Sequence, residues 1–290
     1  MHTFLRSIGF KKLNKDDLKA LVVEIDEHPD AMEFIIDQEG NQLVELRREV
    51  AYGMGLALRG FYDDEDKFQM EYYYPYLESH NVSTKVPIEI IKQSDKESYQ
   101  GLCEDLRLGI DLIFYIQDMM SFLQSNQAEN DVVDFGGVKL SALATDGKIL
   151  LPIKTGSRED IDKANKAKKK RNELLAAAKE GDSKAIENLT LGDMDTYSMI
   201  SRRLETEDVL SIVHTTFMPN GIECDKYSIL GDIVGYKNFV NKLSMELVHV
   251  ITVSCNDLVF DVAINGTDLL GEPLVGRRFK GNIWMQGKIQ

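Results

Sequence analysis

The chain has 290 residues, 43% of them hydrophobic and 28% charged, with a formal net charge of −14. That length can hold two domain-sized cores and the balance is that of an ordinary soluble protein, while the negative field repels phosphate backbones and disfavours general nucleic-acid binding. Cys103, Cys224 and Cys255 are odd in number and far apart, which argues against a disulfide framework and for a reduced compartment.

No basic segment followed by an apolar run opens the chain, and the most apolar window, residues 106–123, is interrupted by Asp111 and Asp118. A cytoplasmic location without membrane insertion is therefore expected.

In chain order, residues 1–10 form a short mixed segment expected to pack on the neighbouring elements. Asn14 can cap a helix from Lys15 to about Glu27, with Asp16 and Asp17 at its positive end and Leu18, Val22 and Ile25 on one face; His28-Pro29 stops it. Residues 31–37 read as a strand before a turn at Gly40-Asn41, and residues 43–50 as strand or helix. Residues 54–62 and 68–77 read as a hairpin around Asp63-Asp64-Glu65-Asp66, and residues 87–93 as a strand. LGIDLIFYI at 108–116 is the strongest strand signal of this half. Residues 138–143 and 148–153 suggest a second hairpin around Asp146-Gly147.

Composition changes at Ser157. Up to Leu204 the chain carries 11 Lys or Arg against 9 Asp or Glu, whereas residues 1–156 carry 16 against 28 and residues 205–290 carry 7 against 11. Ser157 with Asp160 suits a helix cap. Residues 159–180 read as a long, narrowly amphipathic helix ended by Gly181. Two shorter helices are expected after it, from Asp182 or Ser183 to Leu189 and from Thr190 to Leu204.

The last 64 residues are the most informative. Residues 229–240, 246–254, 258–264 and 279–289 alternate in the strand manner. Tight turns are expected at Cys255-Asn256-Asp257 and Asn265-Gly266, and a bent loop at Gly271, Pro273 and Gly276. Four or five short strands need closure to protect their edges, which points to a small barrel, OB-like by analogy. The expected organisation is α+β: an α+β domain with a mostly antiparallel sheet (1–156), a helical connector (157–204) and a small barrel-like domain (205–290).

The phrases MHTFLRSIGF, YYYPY, LIFYIQ, LTLGDMDTYSMISRR, CDKYSILGDI and above all GEPLVGRRFKGNIWMQG carry an end-to-end resemblance to a family of bacterial proteins of unknown function from Firmicute-type organisms. That resemblance implies no reaction for any residue.

No CxxC, HExxH, GxxxxGK or GxGxxG string is present, and neither a cofactor nor a metal is expected. Asp63 to Asp66 offers carboxylates for a hard cation but lacks the spacing of a calcium loop, so it reads as a solvated turn. His28-Pro29-Asp30 resembles the chaperone J-domain tripeptide but lacks its basic preceding helix. Gly53, Gly55 and Gly60 read as bulge or packing glycines. The basic run Lys168 to Arg171 reads as a solvated helix face. His214 and His249 are close enough in the chain to meet, and Cys224, His214 and a carboxylate such as Asp225 are the one catalytic set that can be assembled, which would make the protein a hydrolase. The leading ligand site is Arg277, Arg278, Phe279, Lys280 and Trp284, a basic, aromatic-edged face for an anion, a sugar or a single-stranded nucleic acid, and the expected partner is a protein or a small anionic ligand. On balance the sequence reads as a non-enzymatic binding or scaffolding protein.

Overall fold

A computed structural model describes residues 1–36, 42–92, 98–120, 123, 137–153 and 158–290. The turn expected at Gly40-Asn41 and the cap expected at Ser157 lie outside them. A 3-10 helix (Thr3–Ile8) precedes α1 (Lys15–Glu27), where Asn14 and Asp17 complete a reciprocal capping box and Leu18, Leu21 and Ile25 are buried.

Strands β1 (Ala31–Ile36), β2 (Gln42–Ala51), β3 (Met54–Tyr62) and β4 (Phe68–Leu77) form an antiparallel meander. The ambiguous stretch at 43–50 is therefore strand, since Leu46 sits opposite Leu58 and both are fully buried. Gly60 marks a bulge, as expected: a Cβ there would stand 2.0 Å from the Gln69 carbonyl oxygen. Asp63 closes its own turn, accepting bonds from the backbone N–H of Glu65 and Lys67.

The second sheet contains β5 (Glu89–Lys92), β6 (Tyr99–Cys103), β7 (Leu112–Ile116), β8 (Val138–Leu150), β9 (Thr216–Pro219), β10 (Lys226–Val240), β11 (Leu247–Cys255), β12 (Leu258–Asn265), β13 (Leu269–Leu270) and β14 (Arg278–Ile289). Five of these strands close a barrel. The antiparallel run β12–β11–β10–β14 comes from the C-terminal stretch. The fifth strand is β8, parallel to β12 and antiparallel to β14 from Leu150 opposite Arg278 to Val138 opposite Ile289. Strands from both sides of the helical stretch thus share one sheet. The interior is filled by Leu140, Ala142, Phe260, Val262, Phe279 and Ile283 among others.

The expected hairpin around Asp146-Gly147 is replaced by the single strand β8. Its register on β14 skips Thr145, since Ala144 faces Ile283 and Asp146 faces Asn282. This is a bulge that moves the inward face from Ala142 and Ala144 to Gly147 and Ile149. Gly147 has no room for a side chain, because a Cβ would lie 2.6 Å from Phe279 Cε2 and 2.9 Å from Ile264 Cδ1. The local pattern that suggests a turn is a bulge with a packing glycine after it.

α2 (Arg158–Lys179) and α3 (Ser183–Leu204) pack on one another as a hairpin, and the short α4 (Val209–Ile212) comes next. Gly181 takes φ +90° at the connection, and Asp182 caps α3. The two short helices expected between 182 and 204 are one 22-residue helix, because neither Thr190 nor Gly192 interrupts its backbone. The expected strand at 108–116 forms only from Leu112, and β6 and β9 appear where none was expected. Among the described residues no helix is long and apolar enough to cross a membrane.

The meander, the 3-10 helix and α1 enclose a further core against the outer wall of the barrel, where Leu143, Val248, Ala263 and Trp284 meet Phe4, Leu5, Val44 and Leu56. Gly147→Ala should overpack the barrel interior at a cost of about 1–3 kcal/mol. A urea unfolding midpoint equal to that of the unsubstituted chain would rule out the close packing of Gly147 on Phe279.

Candidate interaction surface

The five residues expected to form a ligand face are divided between core and surface. Phe279 is fully buried inside the barrel. Trp284 is buried on the barrel's outer wall, with its ring 5.5 Å from Phe4, 4.9 Å from His2 and 5.2 Å from Tyr115. Its Nε1–H donates to Asp225 Oδ2 at 2.8 Å. Lys280 lies opposite Lys148 on the half-buried outer wall. Arg277 donates to the Glu272 carbonyl at 2.8 Å and lies 3.6 Å from its carboxylate.

Arg278 is 4% exposed. Its Nε and two terminal nitrogens donate to the carbonyls of Leu151, Val213 and Leu210 at 3.1, 3.0 and 2.8 Å. These carbonyls lie where the chain leaves the barrel for the helical hairpin and where it returns. Arg278 is therefore a clamp on both roots of the hairpin rather than a free cation, because a buried guanidinium must satisfy its donors from the protein.

Around this clamp stand side chains that no sequence motif singles out. Leu151 is 74% exposed, Val209 48%, Val234 50%, Leu274 42% and Val275 65%. The backbone beneath them is tied down. Ile233 N–H donates to the Arg277 carbonyl, Gly276 N–H to the Ile233 carbonyl and Arg277 N–H to the Leu274 carbonyl, at 2.8, 2.9 and 3.1 Å. One signal was available in the sequence: Leu274-Val275 sits between Pro273 and Gly276, in a loop whose chemistry would otherwise be polar.

The catalytic set does not assemble. Thr216 lies opposite Leu230 and Pro219 opposite Tyr227, so His214 lies level with about Asp232, whereas Cys224 precedes Lys226 at the other end of the hairpin. Six strand residues separate those levels, roughly 20 Å at about 3.3 Å per residue. Thr215, bonded to Asn256, holds the His214 end at the β11–β12 turn. His249 is engaged by Tyr236, Oη to Nδ1 at 2.9 Å, beyond either of them on β10. Asp225 is committed to Trp284 and, at 3.3 Å, to Gln100. Among the described residues no group of three or more His, Cys, Asp or Glu could hold a metal.

The other concentration of buried polar groups joins the meander to the barrel. Glu45 and Arg59, each 1% exposed, pair at 2.5 Å, and Arg59 also donates to Tyr74 Oη at 3.2 Å. Gln117 Nε2 donates to Gln286 Oε1 at 2.7 Å and to the Leu77 carbonyl at 2.8 Å. Tyr115 Oη lacks a hydrogen-bond partner among the described residues, although its ring is packed by Tyr74 and Trp284. Apart from that hydroxyl, the donors and acceptors named in this cross-linked core are spent on one another.

The geometry defines an α+β protein built on a closed five-stranded barrel, with an apolar surface around a buried arginine. The chain belongs to the family described as "Domain of unknown function, E. rectale Gene description (DUF3881)", whose model matches residues 5–287. No curated protein and no solved structure matches it.

Arg278→Met should lower unfolding stability by about 1–3 kcal/mol, because three partly buried carbonyls lose a charged donor; a midpoint shift too small to measure would refute the clamp. Burial raises the Asp225 carboxyl above its usual range, against the opposing bonds from Trp284 and Gln100. A raised folded pKa means that the native state holds the proton more tightly than the unfolded chain. This contribution is present below the unfolded value of about 3.9 and is lost as pH rises through the folded value. Asp118 is raised by burial as well, so the readout is the difference between chains. Asp225→Asn should match or exceed the parent's stability at pH 7 and lose this advantage as pH falls below the carboxyl's range. Denaturant titrations across pH 3–8 that give parallel curves would contradict the assignment.

Proposed function

We propose that the protein is a non-enzymatic binding module, that its contact surface is the barrel end around Arg278, and that its ligand is another protein. The observation that carries this reading is the cluster of Leu151, Val209, Val234, Leu274 and Val275, all more than 40% exposed over backbone held by the Arg278 clamp and the Ile233–Arg277 bonds. Single exposed apolar residues are normal on a soluble protein, but a cluster of them on rigid backbone is characteristic of contact surfaces. A rigid patch also loses little conformational entropy when a partner covers it.

Two further points favour a protein over a small anion. The guanidinium of Arg278 is spent on carbonyls and that of Arg277 on Glu272. The chain as a whole carries −14, which does not draw anions towards it. The hydrolase reading is disfavoured by the opposite placement of His214 and Cys224 on the β9–β10 hairpin.

The test is photochemical. A benzophenone side chain placed at Val275 in living cells should form an adduct with another polypeptide, and one placed at the exposed Lys19 on α1 should form none. Introducing Val234→Asp should reduce the adduct at least tenfold. No adduct from Val275, or equal adducts from both positions, would overturn the reading.

A further inference from the structure

We infer that the turn joining β10 to β11 is a lipid-contacting tip, by which the protein rests on a membrane surface bearing anionic headgroups. The contact is shallow, at the depth of the headgroups and the first carbons of the acyl chains, and needs no spanning element. It is independent of the barrel-end reading. Arg278 stands level with Asp232 on β10, and Val240, where the turn begins, lies eight residues further along, roughly 26 Å at about 3.3 Å per residue.

The first ground is the turn's hydrogen bonding. Leu243 is 40% exposed and Met245 74%, and the ladder pair behind them, Val240 opposite Leu247, 48% and 41%. Beneath these side chains every backbone N–H of residues 241–246 is bonded within the protein. Asn241 N–H donates to the Glu246 carbonyl, Lys242 N–H to that of Val50 and Met245 N–H to that of Asn241, at 2.9, 2.8 and 2.9 Å. Leu243 and Ser244 N–H both donate to Asn241 Oδ1, at 2.9 and 3.0 Å, and Glu246 N–H to Ser244 Oγ at 3.3 Å. Water would satisfy these donors on an ordinary exposed turn; lipid would not, so a turn that enters it must satisfy them internally.

The turn is also fixed in place. Asn241 is fully buried and donates to the Ile8 carbonyl at 2.8 Å, Ser244 Oγ donates to the Gly9 carbonyl, and a Cβ at Gly9 would stand 2.8 Å from Asn241 Cβ. Met245 takes φ +60°. Asp66, Asn256 and Asp257 share that region with side chains that tolerate it, whereas methionine is strained there. Backbone strain is thus accepted at a position whose apolar side chain stands in water, as it is at functional sites.

The second ground is charge and composition. Lys12 and Lys242 face solvent, and Glu49 lies 3.9 Å from Lys242. Glu246 is turned onto Lys11 N–H and Asn265 Nδ2, and Asp268 onto Arg6 and Lys11. The chain's −14 is largely screened beyond about 8 Å at physiological salt, so the local lysines decide. Protein contacts favour Trp, Tyr and Arg at their centres. Leu, Met and Val beside lysines, on a hairpin turn rather than in a groove, suit an interfacial anchor, with ammonium groups among the phosphates and their stems along the apolar layer.

The experiment uses the full chain and vesicles of phosphatidylcholine and phosphatidylglycerol in equal parts. The chain should co-sediment with them at low salt, at least fivefold less with phosphatidylcholine alone, and progressively less with added salt. Met245→Asn removes the apolar chain and suits the left-handed backbone, so it should keep or raise the urea midpoint while lowering binding at least tenfold. Lys242→Glu should weaken the preference for charged vesicles. In chains carrying Cys224→Ser, which leaves only the buried Cys103 and Cys255, an environment-sensitive fluorophore on Leu243→Cys should shift to the blue on adding vesicles, and one on Val275→Cys should not. No co-sedimentation, binding unchanged by Met245→Asn, or equal shifts from both fluorophores overturns the inference. So does a vesicle-independent dimer that Met245→Asn dissociates, which would give the tip to a second copy of the chain.

Discussion

The pairing of β8 with β14 is the constraint on which the other features depend. It joins residues 138–150 to residues 278–289 along the full length of both strands and converts an open run of β10, β11, β12 and β14 into a ring. Without it the barrel interior around Phe260, Phe279 and Ile283 would face water on one side, and two strand edges would be left unpaired. Loop closure over more than a hundred residues costs entropy only logarithmically in length, so a long helical insertion between the paired strands is tolerated. That insertion is the α2–α3 hairpin.

Closure also fixes what stands on the outside. The wall residues Leu143, Ala263 and Trp284 form a floor for the meander, the 3-10 helix and α1. The joint is made specific by polar groups: Gln286 donates to the Pro75 carbonyl at 2.8 Å and accepts from Gln117, and Arg6 pairs with Asp268 at 2.6 Å. Burial pushes the Asp268 carboxyl up, but the bonds from Arg6 and Lys11 overcome it and hold the group below its ordinary range. Hydrophobic burial supplies the drive for this packing without fixing direction, and the buried hydrogen bonds select one docking of the two sheets.

The same closure explains the division of the expected ligand face. Along β14 alternate residues point in and out, so Phe279 enters the barrel while Lys280 faces away. Arg278, at the end of the closing ladder, meets both roots of the hairpin and is drawn into the backbone there. A cluster that reads in sequence as basic and aromatic becomes a core ring, a core indole and a structural clamp. The apolar residues beside it are left to define the surface.

Much of the local structure was legible in the residues. The Asn14 cap, the turn at Asn256-Asp257 with both φ values positive, the bulge at Gly60 and the helix break at Gly181 all depend on nearest neighbours and on which backbone angles a residue tolerates. The strand runs of the C-terminal stretch and the need to close them were legible for the same reason, since period-two alternation is a local signal. The choice of β8 as the closing strand was not legible, and neither was Thr145 as a bulge, Gly147 as a packing position or Arg278 as a buried group. Each is decided by contact with residues far away in the chain: Asp146 and Gly147 offer the same backbone options in a turn as in a bulged strand, and only Phe279 and Ile264 lying against Gly147 select between them. The sequence by itself determined the kinds of element and where they stop, because those are set by short-range sterics and hydrogen bonding. The tertiary structure alone decided which strands meet and which side chains are left facing water, because that free energy exists only once the distant partners are in contact.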